Sequence, residues 1–209
     1  MPCKPSSSKV RALAQLHAQI RRCDRCPLHR TRTQAVPGVG SAHAEIIFVG
    51  EAPGRREDLK GEPFVGAAGK FLDELLASIG LSRDEVYITN VVKSRPVSGP
   101  PPGRNRAPSP DEIVACVPWL TQQLQLIRPR LVVTLGRIAL EHFLPGRKIT
   151  EVHGRPQAVD GVTVLPLYHP AMALYRRDWT AILKRDFRTI ARLTRKEPQR
   201  GRRIPQSRT

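Results

Sequence analysis

The chain has 209 residues, 40% of them hydrophobic, which is enough for one well-cored domain and excludes a disordered chain. Its 35 Lys and Arg against 18 Asp and Glu leave a formal net charge of +17, which favours a polyanionic partner such as nucleic acid. No run approaches the roughly 18 apolar residues of a membrane span, and the N-terminus lacks the apolar core of a secretory signal, so a cytoplasmic protein is expected.

Residues 1–9, with Pro2, Pro5 and a serine run, read as a disordered tail that contains Cys3. From Val10, Leu13, Leu16 and Ile20 recur at helical spacing, and the helix should end near Arg22, just before Cys23-x-x-Cys26. In a cytoplasmic chain such a pair favours metal or redox chemistry over a structural disulfide. An extended loop with Pro37, Gly38 and Gly40 leads to a buried strand over about 45–49. Gly50 breaks that strand into a loop carrying Glu51, Pro53, Gly54, Glu57 and Asp58. A second turn places Phe64 between Pro63 and Val65. Phe71, Leu72, Leu75, Leu76 and Ile79 then restore a helical period that Gly80 closes.

A second strand over residues 86–89 ends on Asn90. Residues 91–110 hold too many prolines for regular structure and carry Lys93, Arg95, Arg104 and Arg106. Ser109-Pro110-Asp111-Glu112 reads as a helix start, with a cap candidate, a first-turn proline and acids at the positive end. That helix carries Cys116. A third strand spans 131–135, Gly136 turns into a helix over 137–143, and residues 148–160 read as a hairpin region. A fourth strand over 162–167 delivers Tyr168-His169-Pro170. A final amphipathic helix covers about 179–193, and residues 195–209 form a basic tail.

The repeating order strand, loop, helix predicts one α/β domain over residues 10–194, a three-layer α/β/α fold with a central four-stranded, mainly parallel sheet. Three strands deliver Gly50-Glu51, Thr89-Asn90 and Tyr168-His169 to what must be one edge of that sheet, the edge at which ligands bind in open α/β sheets. Acids beside an aromatic face suit a flat, hydrogen-bonding ligand such as a nucleobase.

Taken together, Cys23-x-x-Cys26-x-Leu28, Gly50-Glu51-Ala52-Pro53-Gly54-x-x-Glu57-Asp58, Gly61-x-Pro63-Phe64-Val65-Gly66, Thr89-Asn90-Val91-Val92-Lys93, Asn105-Arg106, Cys116 and His169-Pro170-Ala171 resemble the iron–sulfur, family-four uracil-DNA glycosylases, over about residues 10–190. The resemblance implies hydrolysis of the N-glycosidic bond of uracil in DNA, in base excision repair, by a monomer. It implies Phe64 as the stacking ring, Asn90 as the reader of the uracil edge and His169 as the donor to the leaving group. Glu51 and Glu57 are the acid candidates, Glu51 the favoured one, with the main chain of Gly50 and Ala52 lining the pocket. Lys93, Arg95, Arg104, Arg106, Arg176 and Arg177 are expected on phosphates, with a wedge from Met172, Leu174 or Tyr175.

The family holds a [4Fe–4S] cluster on four cysteines. Here the resemblance supplies Cys23, Cys26 and Cys116, with Ser94 where the third cysteine belongs. Three arrangements follow: a cluster with Ser94 or a small exogenous ligand at one iron, recruitment of Cys3, or no stable cluster. A cluster on three cysteines is favoured, and zinc is a lesser alternative. Two rival functions remain beside uracil excision: a non-catalytic nucleic-acid-binding module, and a glycosylase for another deaminated base.

Overall fold

The computed structural model describes residues 6–100, 102–176 and 178–194. The first helix, α1 (Ser6–Arg21), buries Leu13, Leu16 and Ile20, the helical stripe of the sequence, and reaches back into residues expected in the tail. A tight turn over Pro27–Arg30 follows the cysteine pair. Then come β1 (Val39–Gly40), β2 (Ile46–Gly50), α2 (Arg55–Lys60), α3 (Ala67–Ala77) and β3 (Tyr87–Asn90). The proline-rich segment folds into a small hairpin of β4 (Val97–Ser98) and β5 (Arg104–Asn105). Next is α4 (Pro110–Ile127), opened by a capping box between Ser109 and Glu112. The remaining elements are β6 (Leu131–Leu135), α5 (Arg137–Phe143), α6 (Ile149–Val152), β7 (Gln157–Val159), β8 (Val162–Leu167), α7 (Met172–Tyr175) and α8 (Asp178–Thr194).

The sheet has six strands in the order β1-β3-β2-β6-β8-β7. The four strands read from the sequence are its parallel core, and β1 and β7 pair antiparallel at the two edges. The expected count of four is corrected to six. At two and three residues the edge strands are too short to show a period in sequence. Part of the expected hairpin region is the single helical turn α6, and the hairpin itself is β7–β8.

Alternation along the central strands divides the core in two. Ile47 and Val49 face one way, into a cluster with Leu13, Trp119 and Leu120; Ile46 and Phe48 face the other, against Leu72, Leu75, Leu183 and Phe187. So α1 and α4 cover one face and α3 and α8 the other. Both faces being covered explains why the strands read as continuous apolar runs. Among the described residues no helix is long and apolar enough to cross a membrane.

Candidate active site

The parallel register sets Gly50 beside Asn90 at the carboxyl edge of the sheet, and β8 ends two residues before His169. A cleft of about 330 Å³ opens there, lined by Glu51, Glu57, Phe64, Asn90, Asn105 and His169 among others. Five residues expected to meet therefore do meet, though they are drawn from segments spread over more than half the chain. Gly50 makes their meeting possible. A Cβ on it would lie 2.7 Å from the Phe64 ring and closer still to Asn90 Oδ1.

Phe64 takes a left-handed backbone with φ of 53°, a conformation that a bulky residue adopts only when its surroundings impose it. Three contacts impose it. Glu57 Oε1 accepts from the main-chain N–H groups of Val65 and Gly66, both at 2.9 Å. The Arg83 guanidinium donates to the carbonyls of Pro63 and Phe64 and is itself paired with Asp73. Gly69 packs so closely under Phe64 that it has no room for a side chain. The ring stacks on His169 with centroids 5.5 Å apart and 25° between planes.

The His169 Nδ1 accepts from the Ala171 N–H at 3.1 Å, so the neutral ring carries its proton on Nε2. Burial holds the ring well below its ordinary value, at about 4, against a smaller opposing pull from Glu57. The ring is therefore neutral at neutral pH, with one N–H to offer. Asn90 is 2% exposed, and its side-chain amide has no hydrogen-bond partner among the described residues. The amide opens on the cleft, where its donor and its acceptor are both available to a ligand. The Glu51 carboxylate likewise has no hydrogen-bonded partner among the described residues; burial raises it above the ordinary range, partly offset by Arg137. Sequence reasoning missed Arg137, Arg83 and Asn105. Of these only Asn105 carried a signal, its place beside Arg106.

The basic residues divide. Lys93, expected on phosphate, is 2% exposed and turned inward. Its ammonium donates to Thr89 Oγ1 at 2.7 Å, to the Asn90 carbonyl at 2.6 Å and to Gln123 Oε1 at 2.7 Å, which uses all three protons. Burial lowers it to about 7. Arg95, 6% exposed, donates to Asn105 Oδ1 and to the carbonyls of Pro102 and Gly103, so it builds the hairpin rather than meeting solvent. Arg106 lines the cleft but is paired with Glu112 at 2.6 Å. Arg104 is exposed, Arg176 is exposed and paired with Asp178, and Arg177 lies outside the described residues.

Behind Lys93 lie the thiols. The Lys93 main-chain N–H donates to Cys116 Sγ at 3.1 Å and the Trp119 indole N–H to Cys23 Sγ at 3.2 Å. Burial raises the Cys26 and Cys116 thiols, with a smaller push in the same direction from the neighbouring cysteines. Ser94 Oγ, 4% exposed, accepts from Arg32 at 3.0 Å, and the same arginine pulls Cys26 down. Three thiols on two segments, two of them receiving N–H groups, suit a sulfur-ligated cluster. Among the described residues no group of three or more His, Cys, Asp or Glu is placed to hold a metal ion. Cys3 lies outside the described residues.

Two half-buried histidines set an acid limit on the fold. His17, bonded to the Tyr87 hydroxyl at 2.7 Å, is held at about 4 by burial, as His169 is. The unfolded chain protonates both near 6.5. Between about 6.5 and 4 the unfolded state therefore binds more protons, and stability falls as the pH falls through that window. Urea midpoints measured from pH 7.5 to 4.5 should decline below about 6.5, and His17→Gln should flatten part of the decline. Unchanged midpoints would show that neither ring is buried neutral.

Residues 37–192 match the model of the uracil DNA glycosylase superfamily. The chain is 47% identical over 197 residues to the type-4 uracil-DNA glycosylase of Archaeoglobus fulgidus, an overlap of 90% of this chain and 96% of the relative. It is 42% identical over 190 residues to the type-4 enzyme of Saccharolobus solfataricus, covering 86% and 85%, and 44% identical over 162 residues to that of Thermotoga maritima, covering 76% and 81%. The chain belongs to the uracil-DNA glycosylase superfamily and, within it, to the type-4 uracil-DNA glycosylases.

Proposed function

We propose that the cleft takes a uracil nucleotide extruded from DNA and hydrolyses its N-glycosidic bond, releasing uracil and leaving an abasic site. The observation that carries this is the unpaired Asn90 amide in one cleft with the Phe64 ring and a neutral imidazole. An extruded base leaves its stack and gains the Phe64 face in return. The Asn90 amide donates to uracil O4 and accepts from N3–H. Cytosine presents the opposite pattern and would leave both sides unpaired. As the C1′–N1 bond breaks, negative charge gathers on the base, and the His169 Nε2–H donates to O2. The sugar becomes cationic. The Glu51 carboxylate, kept ionised with help from Arg137, steadies that charge and orients the water whose oxygen bonds to C1′. Glu57 has the narrower task of holding the Phe64 loop, and the main chain of Gly50 and Ala52 completes the pocket wall.

On the surface, Arg104 and Arg176 are assigned to phosphates, as is Arg177 from its place in the sequence, and the exposed Met172, Leu174 and Tyr175 of α7 to the wedge that fills the vacated stack. Cys23, Cys26 and Cys116, with Ser94 at the fourth corner, would hold a [4Fe–4S] cluster. That group supplies structural cross-linking between the N-terminal segment and α4 rather than bond chemistry.

Incubation with a uracil-bearing oligonucleotide should yield free uracil and an equal amount of alkali-labile abasic sites, with cytosine and thymine oligonucleotides intact. A non-catalytic binding module would bind all of them and release nothing, even with enzyme in excess. A glycosylase for another deaminated base would act on hypoxanthine and spare uracil.

A further inference from the structure

A second cleft, of about 340 Å³, lies on the other side of α2 from the base pocket. The two share one wall. On α2, Glu57 faces the base pocket while Arg55 and Asp58 face the second cleft, and the Arg95–Asn105 pair, bonded at 2.6 Å, puts Asn105 in the first and Arg95 in the second. Its floor is fixed. The buried Asp58 carboxylate accepts from the Thr33 N–H at 2.9 Å, and Gln34 Nε2 donates to the Leu59 carbonyl at 2.7 Å, which fastens the loop after Pro27–Arg30 to α2. Arg95 spends its guanidinium on Asn105, Pro102 and Gly103.

Two lining cations are left over. Arg30 and Arg55 are both exposed, and neither has a hydrogen bond or ion pair among the described residues. They stand at the rim of a cleft whose other exposed side chains include the apolar Leu59, 57% exposed. Free guanidinium groups beside an apolar surface, one wall away from a nucleobase pocket, suit a phosphodiester with its sugar.

We propose that this cleft is a subsite for the strand that flanks the extruded nucleotide, with Arg30 and Arg55 on consecutive backbone phosphates on one side of the lesion. The assignment rests on the reading of the base pocket as a uracil site. The lesion strand leaves that pocket over Asn105 and α2, and its next nucleotides lie along the second cleft. The flank on the other side of the lesion does not touch these arginines. Binding through Arg30 and Arg55 is made equally before and after bond cleavage, so it lowers KM without raising kcat.

The test compares wild type with Arg30→Ala/Arg55→Ala on three single-stranded oligonucleotides: uracil in the centre, at the 5′ end and at the 3′ end. The double variant should raise KM roughly tenfold for the central substrate and for one of the terminal ones, leaving the other terminal substrate and every kcat within about twofold. Binding to a uracil-free oligonucleotide, followed by anisotropy across salt concentrations, should lose about 1.4 from the slope of log K against log salt, roughly 0.7 for each phosphate contact on a single strand. Arg30→Lys/Arg55→Lys should keep the slope. Equal effects on both terminal substrates, or an unchanged slope, would overturn the subsite. If wild type binds with the expected slope difference yet releases no uracil, the reading of the base pocket fails and the cleft remains a phosphodiester site.

Discussion

Asn90→Ala is expected to lower uracil excision by roughly 10²–10⁴-fold while leaving the fold about as stable as before. The two halves of this result come from the same fact. The amide has no partner within the described protein and opens on the cleft, so its removal takes no hydrogen bond from the folded state. In the complex that amide meets both O4 and N3–H of uracil, and each polar group of the base left unpaired costs about 1–3 kcal/mol. A side chain that bonds the ligand and nothing in the free protein is thereby separated from a strand-end cap, whose loss would destabilise the fold. Single-turnover excision and a urea midpoint on the same preparation decide the matter. A lowered midpoint with little change in excision would mean that Asn90 supports the strand end and does not read the base.

His169→Leu is the second variant with a large expected effect. A pre-aimed donor to a developing anion contributes about 10²–10³-fold. The loss should fall on the chemical step, with KM little changed, because charge on O2 appears only as the bond breaks. The leaving group offers a sharper criterion. A 5-fluorouracil substrate departs more easily as an anion, so it needs the imidazole less, and the variant's deficit should shrink on it. An equal deficit on both bases would reduce His169 to a packing partner of Phe64. Because the ring is held at about 4, wild-type activity should show no acidic limb from this residue above about pH 5.

The parallel core and the convergence on its edge were legible in the sequence because both rest on long-period signals. Apolar runs mark β2, β3, β6 and β8, and each is followed by a glycine, an asparagine or a histidine where the run stops. β1 and β7 were not legible, since a two- or three-residue strand is defined by its neighbour and not by its own pattern. α2 was hidden for a related reason: six residues between glycines read as loop until Glu57 and Asp58 are seen to hold the chain on either side.

Charge was the most misleading signal. Lys93 and Arg95 stand in a proline-rich, basic segment that looked solvent-exposed, yet residues 91–96 pass beneath α4 and are buried. Local composition describes a residue's neighbours in the chain, while a buried lysine is explained by acceptors brought from elsewhere, here Thr89 and Gln123. Glu57 shows the converse. Its position in the motif suggested chemistry, and only the two main-chain N–H groups it accepts reveal a mechanical duty.

Lys93 touches Cys116 through its main chain and Asn90 through its ammonium. One residue thus ties the end of β3 to the helix that carries Cys116, so whatever shifts α4 also pulls on the strand from which Asn90 projects.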